Sequence, residues 1–183
     1  MDLLLITTKI KSDYPLLRET VTRHPKCAAV LVILFIGNNN AHVLMTKRSS
    51  HLKAHPGEIS FPGGVMEAED DDLLDTALRE TQEEIGLNLS ASFVIGKLPL
   101  VQTLTGYSVT PFVTVLEEPP NLGDLSSEVA EILNIPLAPL LETHQRDVEF
   151  EPEKGMVVYS FNHHRIWGAS AKILQQIEQL SVH

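Results

Sequence analysis

Three glutamates at helical spacing are the residues of this chain best suited to do chemistry. Glu80, Glu83 and Glu84 lie in the segment RETQEEIGL (79–87), and their i, i+3 and i+4 spacing places them on one face of a helix. Each like-charge pair at this spacing costs about 0.2–0.5 kcal/mol. Because a divalent cation would remove that repulsion, the cluster predicts a metal site; a solvated helix surface is the alternative.

The helix that presents these glutamates is predicted from about Asp72 to Ile85. Gly86 stands where a left-handed C-cap residue belongs. Asp70, Asp71 and Asp72 suit an N-cap and the positive end of the helix dipole. A separate stripe of the helix would face the core: it contains Leu74, Ala77, Leu78, Thr81 and Ile85.

The rest of the chain alternates between strand and helix patterns. The continuous apolar run 27–36 predicts a strand buried on both faces, and 42–48 returns as its partner after the turn GNNNA. Further strands are predicted at 93–98, 109–116, 130–135 and 156–161, helices at 12–24, after Pro136 and from about Gly168 to Leu180, and loops at 61–64 and 117–128. Strands with separated helices predict one α/β (α+β) domain over 1–183, a sandwich around a mixed sheet.

Composition excludes several classes of function. A formal net charge of −10 argues against a nucleic-acid partner, because neutralising phosphates requires clustered Lys and Arg. Cys27 is the single cysteine, so no intrachain disulfide is expected. No apolar stretch is long enough to span a membrane, and the first ten residues do not resemble a secretory signal. We therefore expect a cytoplasmic protein with no membrane partner.

Residues 64–87 resemble the Nudix box, a glycine-loop-helix signature that ends in Arg-Glu-x-x-Glu-Glu-x-Gly and an apolar residue. The resemblance implies an α/β/α Nudix fold and a metal-dependent hydrolase that cleaves diphosphates linked to another moiety. Two departures from the general pattern occur. Gly64 and Arg79 are fifteen positions apart, one more than usual, and the acid eight positions before the arginine is Asp71 instead of a glutamate.

A second segment narrows the resemblance to one branch of that family. LMTKRSSHLKAHPGEISFPGG (44–64) looks like the motif of the coenzyme A pyrophosphatases, and LTGYSVTPFV (104–113) and IWGASA (166–171) are also similar to that branch. This implies hydrolysis of coenzyme A or its derivatives to 4′-phosphopantetheine and adenosine 3′,5′-bisphosphate. A Nudix enzyme for ADP-ribose or NADH is the first alternative, and a non-catalytic Nudix-fold nucleotide sensor is the second.

The resemblance also implies roles for individual residues. Glu80 and Glu84 are the expected primary ligands of Mg²⁺ or Mn²⁺, with Glu83 contributing, and Gly64 could supply a backbone carbonyl. Glu128 matches a place where Nudix enzymes sometimes carry a further ligand or base. The general base stays open among Glu80, Glu83, Glu128 and a hydroxide held by the metal. A further position, Arg79, is expected to orient the carboxylates.

A small group of basic residues precedes the glycine loop and suits a small-molecule substrate rich in phosphate. Lys47, Arg48 and Lys53, with His55, would place positive charge beside the metal site and could read the 3′-phosphate of coenzyme A. The alternative is a solvated strand end. The sequence leaves open whether the protein is a monomer or a homodimer, and whether the substrate is free, acylated or oxidised coenzyme A.

Overall fold

The computed structural model describes residues 2–17, 24–148 and 156–181. Its helices are α1 (Leu3–Asp13), α2 (Leu73–Ile85), α3 (Leu137–Glu142) and α4 (Gly168–Ser181). Its strands are β1 (Cys27–Gly37), β2 (Asn40–Arg48), β3 (Ile59–Ser60), β4 (Gly63–Val65), β5 (Val94–Lys97), β6 (Val101–Gln102), β7 (Ser108–Leu116), β8 (Val129–Pro136), β9 (Gln145–Arg146), β10 (Val157–Phe161) and β11 (His164–Ile166).

An eight-stranded mixed sheet forms the centre of the molecule. β1 pairs in parallel with β7 from Cys27 to Phe35, and its other neighbours, β2 and β4, are antiparallel. The β1–β2 hairpin turns at Asn38 and Asn39, which both have positive φ. Asparagine tolerates this conformation, which a tight hairpin with strand-compatible twist requires. β9, β10 and β11 form a separate three-stranded sheet.

The two faces of β1 belong to two different apolar clusters. Ala29, Leu31, Ile33 and Phe35 face α2, while Val32 and Leu34 face the cluster that contains α1, α3 and α4. Because alternate residues of a strand point to opposite faces, a run that is apolar throughout can fill both clusters. This arrangement confirms the predicted α/β/α sandwich around a mixed sheet.

One edge of β1 is divided between two strands, and this division positions the glycine loop. β2 pairs with the second half of β1, Ile33–Gly37, whereas β4 pairs with Ala28, Ala29 and Val30. Gly63 lies so close to β1 that a Cβ atom there would be 2.3 Å from the carbonyl oxygen of Ala29. The prediction of a loop at 61–64 was therefore wrong for its last two residues, which form a strand.

The first helix lies earlier in the chain than predicted. The helix expected at 12–24 is instead α1, with Asp2 as its N-cap, and residues 18–23 lie outside the described part of the chain. The buried residues Leu3, Ile6 and Ile10 supply the helical periodicity that anchors α1. Tyr14 precedes Pro15, and a residue before proline is disfavoured in the helical conformation, so the helix ends there.

No helix within the described ranges is long and apolar enough to cross a membrane.

We predict that Gly63→Ala destabilises the protein far more than Gly57→Ala. Gly57 and Gly63 both have positive φ, but a Cβ atom at Gly57 would meet no atom within 4 Å. Backbone strain alone should cost about 1–2 kcal/mol at Gly57. Overlap with β1 should add about 1–3 kcal/mol at Gly63. Urea unfolding of both variants measures the difference, and equal losses would show that the close approach of β4 is unimportant for stability.

Candidate active site

Helix α2 presents the three glutamates, and both of its ends are capped as predicted. The Asp72 side chain accepts hydrogen bonds from the backbone N–H groups of Leu74 and Asp75, each at 2.9 Å. Gly86 adopts the left-handed conformation and donates its N–H to the carbonyl of Gln82. The caps fix where the helix begins and ends, and so fix the register of the glutamates against the sheet.

The three carboxylates differ sharply in burial. The Glu83 side chain is 60% exposed, that of Glu80 is 18% exposed, and that of Glu84 is only 9% exposed. The sequence pattern placed Glu84 on a polar face, yet its third-turn position next to Ile85 brings it against the sheet. Burial of a charged group is costly unless it is paired or coordinates a cation. Glu84 is therefore the residue that most needs a partner.

The surroundings of Glu84 compensate its charge only in part. Its Oε1 atom lies 3.9 Å from Nη1 of Arg48, while its buried Oε2 atom has no hydrogen-bond partner among the described residues. Burial and, after it, repulsion from Glu80 raise the pKa of Glu84 to about 7, against the opposing effects of Arg48 and of the backbone of Gly63. A buried oxygen without a partner in an acidic cluster is suited to a hard cation.

Gly64 allows the backbone of β4 to approach Glu80. A Cβ atom at Gly64 would lie 2.3 Å from Oε1 of Glu80, so any side chain there would displace this carboxylate. Burial raises the pKa of Glu80, while Arg79 opposes the shift. The predicted pair of Gly64 and Glu80 is thus brought together, as a shared metal site would require.

Arg79 is anchored by an aspartate and reaches two glutamates. Its Nε and Nη2 atoms donate to both oxygens of Asp70 at 2.8 and 3.0 Å, and its Nη1 donates to Glu80 at 3.0 Å and to Glu83 at 3.2 Å. Arg79 therefore contacts the carboxylates it was expected to orient. The hydrogen bonds from Arg79 hold the pKa of Asp70 at about 2, although burial opposes this.

The acidic partner of Arg79 is Asp70, one of the three consecutive aspartates that the sequence assigned to the start of the helix. Asp70 is 4% exposed and also accepts hydrogen bonds from the Thr76 hydroxyl and the Glu67 N–H, whereas Asp71 is exposed. The sequence alone did not distinguish Asp70 from its neighbours, because its burial depends on how the loop before α2 folds.

The donors available at this site fit a hard divalent cation. Glu80, Glu83 and Glu84 offer carboxylate oxygens, the ligands that Mg²⁺ prefers, and Oε2 of Glu84 is buried without a partner in the described chain. Across residues 2–17, 24–148 and 156–181, however, no three acidic, histidine or cysteine side chains already converge as a preformed cage. The ligand roles of these glutamates and of Gly64 stay predictions.

The predicted substrate-binding residues are spread over different surroundings. Arg48 lies between Glu84 and Glu128, at 3.9 and 3.6 Å. Lys47 lies opposite Glu131 in the register of β2 and β8, and its side chain is on the face of the sheet opposite to that of Arg48. Lys53 is exposed in the loop between β2 and β3.

His55 lies in the same loop, has positive φ, and its Nδ1 atom is 2.9 Å from a carboxylate oxygen of Glu58. The four residues predicted to bind substrate therefore do not form one patch, and their contact with substrate stays a prediction.

Comparison with known proteins identifies the family and the fold. The model of the NUDIX domain matches residues 25–153. An uncharacterized Nudix hydrolase, NudL of Salmonella heidelberg (strain SL476), is 37% identical over 175 residues, which span 91% of this chain and 90% of that protein.

Two solved structures share the fold. A MutT/nudix family protein from Enterococcus faecalis has a TM-score of 0.59 at 16% identity and covers 99% of this chain and 70% of that chain. The NUDIX domain of Shewanella oneidensis NrtR, solved with ADP ribose, has a TM-score of 0.58 at 15% identity and covers 94% and 96%. At these identities the likeness shows the fold alone.

We predict that Asp70→Asn lowers the free energy of unfolding by about 2 kcal/mol at pH 7, the value of a pKa held near 2 instead of 3.8. Because the folded-state pKa is lowered, this contribution is complete above about pH 4 and is lost as the pH falls towards 2. Chemical denaturation at pH 7 and pH 3 should show the difference between wild type and variant shrinking. Asp71→Asn, at the exposed neighbour, is the control and should change stability by less than about 0.5 kcal/mol.

We also predict that millimolar Mg²⁺ or Mn²⁺ raises the melting temperature of the wild type, because a cation relieves the burial and repulsion of Glu84. Glu84→Gln should remove this shift and most turnover while leaving the fold intact. Glu142→Gln, at an exposed position at the end of α3, carries the same charge change away from the site and should retain the shift. A full metal-dependent shift or near wild-type turnover in Glu84→Gln would contradict the role of Glu84 as a ligand.

Proposed function

This chain belongs to the Nudix family of hydrolases, and on that premise we propose that it hydrolyses coenzyme A or a coenzyme A derivative. The products would be 4′-phosphopantetheine and adenosine 3′,5′-bisphosphate. Nudix hydrolases act on nucleoside diphosphate derivatives and generally use divalent metal ions, and Mg²⁺ or Mn²⁺ is the proposed ion here.

The observation that carries this proposal is the position of the coenzyme A-like segment, residues 44–64, around the carboxylates. Its β2 end brings Arg48 to within 3.9 Å of Glu84, and its β4 end brings the backbone of Gly64 against Glu80. The segments that resemble the coenzyme A branch and the Nudix box therefore lie next to each other, as one shared site would require. This supports assigning both resemblances to a single reaction.

The chemistry at this site is displacement at phosphorus. A bound divalent cation would neutralise charge on the diphosphate and on its leaving oxygen. Water attacks one phosphorus, the bridging P–O bond breaks, and the water proton passes to a general base, for which Glu80, Glu83 and Glu128 are the side-chain candidates. Arg79, fixed by Asp70, keeps the carboxylates of Glu80 and Glu83 in place.

Recognition of the 3′-phosphate falls most naturally to Lys53. Arg48 is already next to two carboxylates, and Lys47 lies on the opposite face of the sheet. The exposed ammonium of Lys53 is carried by the loop that follows β2, and a cation there would raise the local concentration of an anionic substrate around an otherwise acidic protein.

We predict a preference for coenzyme A over dephospho-coenzyme A, which lacks only the 3′-phosphate. Loss of one charge-assisted hydrogen bond costs about 1.5–3 kcal/mol, so kcat/KM should fall by about ten- to a hundredfold. Lys53→Gln should impair hydrolysis of coenzyme A but change little on the dephospho form. Lys172→Gln is the control, because it removes a positive charge on α4 that donates to the carbonyl of Gln102 and not to the carboxylates of the site.

Product release measured with Mg²⁺ and with Mn²⁺ tests this, with acyl-coenzyme A, ADP-ribose and NADH as further substrates. ADP-ribose is included because the NrtR domain was solved with it. Equal kcat/KM on coenzyme A and its dephospho form, with Lys53→Gln equally impaired on both, would overturn recognition of the 3′-phosphate. Faster hydrolysis of ADP-ribose or NADH than of coenzyme A would overturn the proposed substrate.

A further inference from the structure

Arg48 occupies an unusual place for a residue at the end of a strand. Its Nη1 atom lies 3.9 Å from Glu84 and its Nη2 atom 3.6 Å from Glu128, while its Nε atom is buried without a hydrogen-bond partner among the described residues. The guanidinium is therefore directed by its two carboxylate contacts. A planar guanidinium with separated donors can contact two carboxylates at once, whereas the compact ammonium of a lysine does so less well.

The backbone that carries Glu128 is also tied to this region. Ser49, next to Arg48, donates its N–H to the carbonyl of Glu128 and its hydroxyl to the carbonyl of Ser127, both at 2.7 Å. Ser126 donates its N–H to the carbonyl of Glu84 at 3.0 Å. Residues 126–128 are thus hydrogen-bonded to the end of β2 on one side and to α2 on the other.

These backbone contacts place Glu128 near the site but do not fix its side chain. The Glu128 side chain is 54% exposed, and repulsion from Glu84, which raises the energy of both carboxylates when they are close, would turn it towards solvent. The guanidinium of Arg48 counters that repulsion, because it lies between the two groups.

We propose that Arg48 is a positioning residue: it holds the carboxylate of Glu128, already the candidate for a further ligand, beside Glu84, where Glu128 can contribute to cation binding. The proposal rests on the proposed function as a metal-dependent hydrolase, but not on the identity of the substrate. It gives Arg48 a role different from contact with the substrate phosphate. Its effect passes through Glu128.

The test measures Mn²⁺ binding to the free enzyme without substrate, with the electron paramagnetic resonance signal of unbound Mn²⁺ as the readout. Removing a carboxylate that helps to hold the cation should weaken binding, so we expect Glu128→Gln to lower the affinity by about ten- to a hundredfold. Arg48→Gln should lower it by a similar factor, and Arg48→Lys by less. Arg48→Gln should cause no further loss when Glu128→Gln is already present.

The opposite change in Mn²⁺ affinity is expected for Arg48→Gln if Arg48 is only a nearby positive charge. Its removal would then strengthen Mn²⁺ binding, because a cation repels a cation. That result, an additive loss in the double variant, or unchanged affinity in Glu128→Gln would each overturn the proposal. Lys172→Gln should bind Mn²⁺ like the wild type, and melting temperatures show that each variant is folded.

The same variants separate this proposal from the proposed function. If Arg48 binds the substrate phosphate instead, Arg48→Gln raises KM for coenzyme A and leaves the Mn²⁺ affinity of the free enzyme unchanged. If the substrate assignment alone is wrong, coenzyme A is not hydrolysed while the non-additive Mn²⁺ result is retained.

Discussion

The burial of one carboxylate, that of Glu84, is the constraint on which the rest of the site depends. A carboxylate that is 9% exposed is unfavourable unless opposite charge or hydrogen bonds compensate it. Arg48 compensates in part, and the Oε2 atom, which has no hydrogen-bond partner in the described part of the chain, shows that the compensation is incomplete. The protein thus keeps a destabilising group at low exposure, which is expected where a ligand, and not the fold alone, completes the interactions.

This burial is possible because two strands, β2 and β4, pair with successive parts of the same edge of β1. Where β2 turns away, β4 takes its place, and the glycines of β4 let its backbone lie against β1 and against Glu80. A side chain at Gly63 would overlap with β1, and one at Gly64 would displace the Glu80 carboxylate. Gly63 therefore matters for the stability of this edge, and Gly64 for the position of Glu80.

The sequence identified those features that are set by local physics. The caps of α2, the continuous apolar run of β1 and the apolar face of α4 follow from residue type and spacing, and the structure contains all three. Helix α1 was missed because only three of its residues are buried, so its helical periodicity is weak, and because Pro15 drew the predicted start of the helix to a later position. The burial of Glu84 depends on how α2 packs against β4, and the pairing of Arg79 with Asp70 depends on the fold of the loop before α2. The spacing of residues along the sequence encodes neither.

Strand alternation explains why adjacent basic residues cannot act together. Lys47 and Arg48 are neighbours in sequence, but Lys47 lies opposite Glu131 and helps to lower the pKa of His164, after burial and His163, whereas Arg48 lies among the carboxylates of α2 and residue 128. A run of basic residues in a strand therefore divides its charge between two faces. Only a segment outside a strand is free of that alternation. The loop after β2, which carries Lys53, is such a segment.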